Sequence, residues 1–133
     1  TGVQTCALPI FVISFGLFFA MIIGIFLSIN LINSHCTHLQ NLNSSLESYI
    51  LKENYEDAYN LSLDYVAEWE KTSKFLTIYI HHEDTDHMDS ELLKLTQYIK
   101  MKDKPESLAT VHSMKYLIDH IMSHEKVSIS NIF

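Results

Sequence analysis

The sequence predicts an all-α protein: an N-terminal single transmembrane helix followed by a small antiparallel, up-down four-helix bundle. Three observations carry that expectation. All 25 Asp, Glu and Lys residues fall from Glu47 onward, so the first 46 positions carry no such charge. Residues Phe11 to Ile32, FVISFGLFFAMIIGIFLSINLI, place 17 apolar side chains in 22 positions. Residues 33–133 contain no glycine and one proline, and their apolar residues recur every three or four positions, which gathers them on one helical face.

Length and composition narrow the function classes. The chain has 133 residues, 47% hydrophobic and 19% charged, which suits one small domain and excludes collagen-like, disordered and disulfide-stapled classes. Nine lysines without an arginine stand against sixteen acids, for a net charge of -7. Nucleic acid is therefore not an expected partner, because counterion release needs a basic face.

The opening residues 1–10, TGVQTCALPI, read as a translated sequencing-adapter artefact: back-translation gives a widely used short-read adapter. Such a scar is set aside in fold reasoning. Without Cys6, Cys36 is the one native cysteine, and no intramolecular disulfide forms.

The next element, 11–32, is the transmembrane anchor. At about 1.5 Å per residue its 22 positions span about 33 Å, enough for a hydrocarbon core of about 30 Å. A cleaved signal peptide would have a shorter apolar region and a small-x-small cleavage site. The run ends instead in Asn30-Leu31-Ile32-Asn33-Ser34-His35, so a retained anchor is expected. No lysine occurs from Asn33 to Leu51 and the remainder is acidic, which places residues 33–133 outside the cytoplasm by the positive-inside rule.

Four helical stretches follow. The first, about Thr37 to Lys52, aligns Leu39, Leu42, Leu46, Tyr49 and Ile50. The second, about Tyr55 to Ile80, aligns Tyr55, Tyr59, Ser62, Val66, Trp69, Ser73, Leu76 and Ile80 in a coiled-coil-like seam. The third, about Asp86 to Lys102, uses Met88, Leu92, Leu95 and Ile99. Lys102-Asp103-Lys104-Pro105 interrupts the chain, with Pro105 suited to a first helical position. The fourth, about Glu106 to Lys126, uses Leu108, Val111, Met114, Ile118 and Ile121. Short connections make successive helices antiparallel neighbours. No 34-residue repeat supports a solenoid instead. Trp69 is expected in the core, because an amphipathic helix must bury such a face.

With the anchor, Trp69, Tyr79-Ile80-His81-His82-Glu83 and the closing Glu125 to Asn131-Ile132-Phe133, the chain resembles the bacterial membrane-anchored domain of unknown function numbered 4363, over nearly everything from Phe11 to Phe133. The resemblance implies one N-terminal membrane helix, a small helical domain and no assigned activity. It supplies no catalytic residues.

Enzyme templates find no match, and no catalytic residues are expected. Apart from Gly2 the glycines are Gly16 and Gly24, both within the anchor, so no phosphate loop is formed. Cys36 is expected at the membrane edge, as an inert thiol or an intermolecular contact. Asn43-Ser44-Ser45 and Asn60-Leu61-Ser62 match the glycosylation pattern, which is common by chance.

Histidine is the unusual feature, with eight in the chain. His81, His82 and His87 crowd the second turn beside Glu83, and His120 and His124 stand one helical turn apart before Glu125. Imidazoles at i and i+4 share a helix face and can share one metal. Counting helix directions from the membrane brings His81, His82, Glu83, His87, His120, His124 and Glu125 to the membrane-proximal end, together with His35 and His38. Only His112 falls elsewhere. The leading expectation is a non-enzymatic interaction or accessory module, anchored through Phe11–Ile32, with another membrane protein as partner. The alternative is a zinc-binding or pH-sensing domain built on that histidine layer.

Overall fold

The computed structural model describes the backbone of residues 2–130 and the side chains of residues 8–124. It divides into two units, residues 1–31 and 32–133. All of the secondary structure described is helical: α1 (Gly2–Leu51), α2 (Tyr55–Leu76), α3 (His82–Lys100) and α4 (Lys104–Ser130).

The first unit is the apolar part of α1. Its described side chains are almost all exposed, with Phe15 and Phe19 rings 5.1 Å apart along one face. By length and composition this helix is long and apolar enough to cross a membrane, a test that an N-terminal signal sequence also passes.

The second unit is a four-helix bundle made from residues 32–51 of α1 and from α2, α3 and α4. Its core holds Leu39, Leu46, Ile50, Trp69, Leu76, Met88, Leu92, Leu95, Ile99, Val111, Met114, Ile118 and Ile121, the stripes expected from spacing. Leu42, Tyr49, Tyr55, Tyr59, Val66, Ile80 and Leu108 pack half-buried against them. Antiparallel order is visible in the cross-links. Asn43 Nδ2 donates to the Val111 carbonyl (2.9 Å), Glu47 meets His112 (2.9 Å) and Lys104 Nζ reaches the Leu51 carbonyl (3.2 Å), so α4 descends as α1 rises.

Polar residues inside the stripes are accommodated by their own helices. Ser62, Thr72, Thr85, Thr96, Ser107 and Thr110 are buried, and each hydroxyl donates to a carbonyl three or four residues earlier. That bond removes most of the cost of burying a hydroxyl. Trp69 is 1% exposed, and its indole N–H donates to Asp89 Oδ1 at 2.6 Å, which satisfies its one polar atom.

The two turns at one end share a construction. Glu53 (φ 58°) and Lys102 (φ 57°) take the left-handed conformation that closes a helix. Asn54 N–H returns to the Tyr49 carbonyl and Asp103 N–H to the Tyr98 carbonyl, both at 2.9 Å. Asn54 and Asp103 then cap the next helix, accepting from the backbone N–H of Asp57 and of Glu106.

Several boundaries differ from expectation. No break separates the apolar run from the first bundle helix; α1 carries both. Asn33-Ser34-His35-Cys36 holds no glycine or proline, Thr37 Oγ1 bonds the Asn33 carbonyl (2.7 Å), and buried Ile32 and Cys36 extend the stripe upstream. Helix α2 stops at Leu76, because Thr77-Ile78-Tyr79-Ile80 is β-branched and aromatic, and the N–H groups of Tyr79 and Ile80 both fold back to the Leu76 carbonyl (2.8 Å). Helix α3 begins at His82, where Glu83 and Asp84 complement the helix dipole. With Asp103 as the cap, Pro105 occupies the second helical position, still within the first turn where no N–H bond is required.

Candidate functional site

The α2–α3 turn and the last described turns of α4 lie at the end of the bundle opposite Glu53 and Lys102. His35 on α1 marks that end: its ring stacks on Phe75 of α2, with centroids 5.9 Å apart, and Nδ1 stands 3.7 Å from Glu68 Oε1. Gln40 bonds Asp119, which puts the following turn of α4, with His120 and His124, beside the start of the bundle part of α1. The histidine-rich segments therefore share one end, and His112 sits apart from them, bonded to Glu47.

Within that end the imidazoles separate into small groups. His120 and His124 meet through their Nε2 atoms at 3.1 Å, a contact in which one ring donates and the other accepts. Tyr116 stacks on His120 at 6.1 Å. His87 Nε2 lies 3.8 Å from Glu91 Oε1, one turn along α3, and Lys94 hydrogen-bonds the same carboxylate. His81 precedes α3 without making a side-chain cap bond, and His81, His82 and Glu83 are exposed. His38 is exposed on α1. The side chain of Glu125 lies outside the described residues. Among the described residues no three His, Cys, Asp or Glu side chains gather to hold one metal ion.

Two buried polar groups, Glu91 and Tyr65, had no place in the sequence-based expectation. Glu91 is nearly buried at a position on the α3 stripe, and its hydrogen bond raises the Lys94 ammonium above its ordinary range, outweighing desolvation. The His87–Glu91–Lys94 spacing of four and three was the readable signal for this group. Tyr65 is fully buried, and its hydroxyl has no hydrogen-bond partner among the described residues. Burial pushes its phenol far above the usual range, and the neighbouring Cys36 thiol adds to that. Cys36 is core rather than a membrane-edge contact, since the upstream extension of the α1 stripe turns it inward. Asn43 is equally buried against Val111, which removes it as a glycan acceptor in the folded bundle. At the other end, an open cleft of about 520 Å³ lies between the two turns, lined by Tyr55, Tyr59, Glu53, Ile99, Lys100 and Lys102.

An apolar N-terminal helix joined to an all-α bundle defines the class of protein. The chain belongs to the family Domain of unknown function (DUF4363), whose model matches residues 26–132, beginning inside the apolar run rather than at Phe11. No curated protein and no solved structure matches it.

Proposed function

We propose that the chain is a single-pass membrane protein that presents its helical bundle outside the bacterial cytoplasm as a non-enzymatic interaction or accessory module, with another membrane protein as partner. The observation that carries this is the exposure of the apolar run. Phe11 is 73% and Leu17 67% exposed, and so are most of their neighbours up to Leu31. Water would charge about 25 cal/mol for each Å² of such surface, whereas lipid removes the cost. Retention rather than cleavage is supported by the same helix, which continues into the core through Ile32, Cys36 and Leu39. The lysine-free stretch from Asn33 to Leu51 and the net charge of -7 support the outward orientation.

Expressed as the full gene product, the protein should sediment with membranes and resist salt and alkaline extraction. In cells stripped of their wall, added protease should digest the bundle. Recovery in the soluble fraction would reject the anchor, and protection until lysis would reverse the orientation.

A second reading, zinc binding, is favoured by His120 and His124. Two nitrogens each about 2.0–2.1 Å from one tetrahedral zinc stand about 3.3 Å apart, and a small opening of the observed 3.1 Å separation would admit the ion. The pair supplies two ligands. Zinc that leaves the melting temperature unchanged would reject this reading without touching the first.

A further inference from the structure

We infer that the α2–α3 turn is a lipid-contacting surface: Phe75, Ile78 and Tyr79 seat the bundle on the membrane–water interface. This rests on the anchored reading above. Three large apolar side chains within five residues are 55%, 74% and 54% exposed, on a turn whose other apolar members, Leu76 and Ile80, face the core. The turn lies at the end of the bundle where the chain passes to the apolar run, because the Phe75 ring stacks on His35, three residues after Ile32.

The neighbours suit an interface. Aromatic residues are favoured at headgroup depth, where one end of the ring is apolar and the other wet. Lys74 on the last turn of α2 is exposed and able to reach phosphates while its stem covers apolar surface, and Lys71, one turn earlier, is exposed and lies 3.6 Å from Glu68 Oε2. Residues 33–38, Asn-Ser-His-Cys-Thr-His, carry no Asp, Glu, Lys or Arg charge, so nothing on α1 at this level resists approach to lipid. Glu83, Asp84 and Asp86 at the start of α3 carry negative charge at the same end, which limits the contact to shallow depth and favours zwitterionic headgroups. Met101 shows the contrast. It is 78% exposed at the opposite end, with no aromatic or apolar companion on its turn.

The test uses the full chain in phosphatidylcholine vesicles, with one tryptophan added in turn at Ile78, Met101 or Phe18, and lipids brominated near the headgroup or deep in the acyl chain. The buried Trp69 supplies a constant background. Ile78→Trp should be quenched by shallow bromines at least twofold more than Met101→Trp, and Phe18→Trp by deep ones. Quenching at position 18 with none at 78 would overturn the lipid contact and leave the anchor standing. Shielding of position 78 from both lipid and aqueous acrylamide would assign the turn to a protein partner and likewise overturn it. Loss of quenching at 18 would reject the anchored reading and this inference together.

Discussion

Glu53 and Lys102 adopt the same left-handed backbone conformation, with φ of 58° and 57°, at equivalent places 49 residues apart. The equivalence runs through the bundle. Leu39 and Met88, Leu46 and Leu95, Ile50 and Ile99, Tyr65 and Met114, Trp69 and Ile118 are pairs at that same separation, and every member is buried. The bundle is thus two helical hairpins of one design, each closed by a non-glycine residue at the position where glycine costs least strain.

Lys102→Gly should therefore stabilise the bundle by about 0.5–1 kcal/mol, since the strain relieved exceeds the added entropy of the unfolded chain. Glu53→Gly should gain less, because Glu53 also accepts from Lys104 at 3.1 Å. Urea denaturation measures both. Lys102→Val, which is β-branched, should move the midpoint the opposite way.

The four stripes were legible because burial follows helical spacing whatever the tertiary contacts. The repeat was not. Its two copies share few identities, among them His38 with His87, Leu46 with Leu95 and Tyr49-Ile50 with Tyr98-Ile99, while the capping Asn54 matches Asp103 in role only. Core positions specify burial rather than identity, so Trp69 can match Ile118 and Ala58 can match Ser107. Ser62 already stood on the expected α2 seam, but the other buried Ser and Thr residues were hidden, because a hydroxyl that bonds its own helix leaves no trace in an apolar pattern.

Trp69→Ala should cost about 3–5 kcal/mol, as large-to-small core changes do. Asp89→Ala should cost about 1 kcal/mol, because the indole N–H loses its acceptor at a rim that water can reach. Thermal unfolding by circular dichroism distinguishes the two. A loss below about 1 kcal/mol for Trp69→Ala would contradict its place in the core.

The shared end of the histidines followed from chain connectivity alone. Their partners did not, because which neighbour a side chain meets depends on the rotation of each helix about its axis. His35 turns to Glu68 and Phe75, His87 to Glu91, and His120 to Tyr116 and His124.

Glu91→Leu should preserve stability or raise it by about 1 kcal/mol. An ion pair at a buried position spends most of its Coulombic gain on desolvation, and leucine fills a stripe position. The equivalent residue of the other hairpin, Leu42, is already apolar. Chemical denaturation of the variant, with and without 1 M salt, measures the effect; destabilisation beyond about 1 kcal/mol would show that the His87–Glu91–Lys94 group contributes net stability.

Tyr65 makes the stability of the fold sensitive to alkali. Its phenol is buried with no hydrogen-bond partner for the hydroxyl among the described residues, so ionisation inside the core is disfavoured first by lost hydration and then by the adjacent Cys36. In the unfolded chain the same group loses its proton near pH 10. Below that pH both states are protonated, and the residue adds no pH dependence. Above it the unfolded state releases a proton that the folded state retains, so stability falls as pH rises, by about 1.4 kcal/mol per pH unit. Tyr65→Phe removes the hydroxyl and leaves the ring. At pH 7 the variant should match the wild type or exceed it by up to about 1 kcal/mol, because an unpaired buried oxygen is gone. At pH 11 it should be the more stable protein by a margin about 1.4 kcal/mol larger than at pH 7. Urea midpoints at the two pH values decide the matter; equal margins would mean that the phenol reaches water in the folded state.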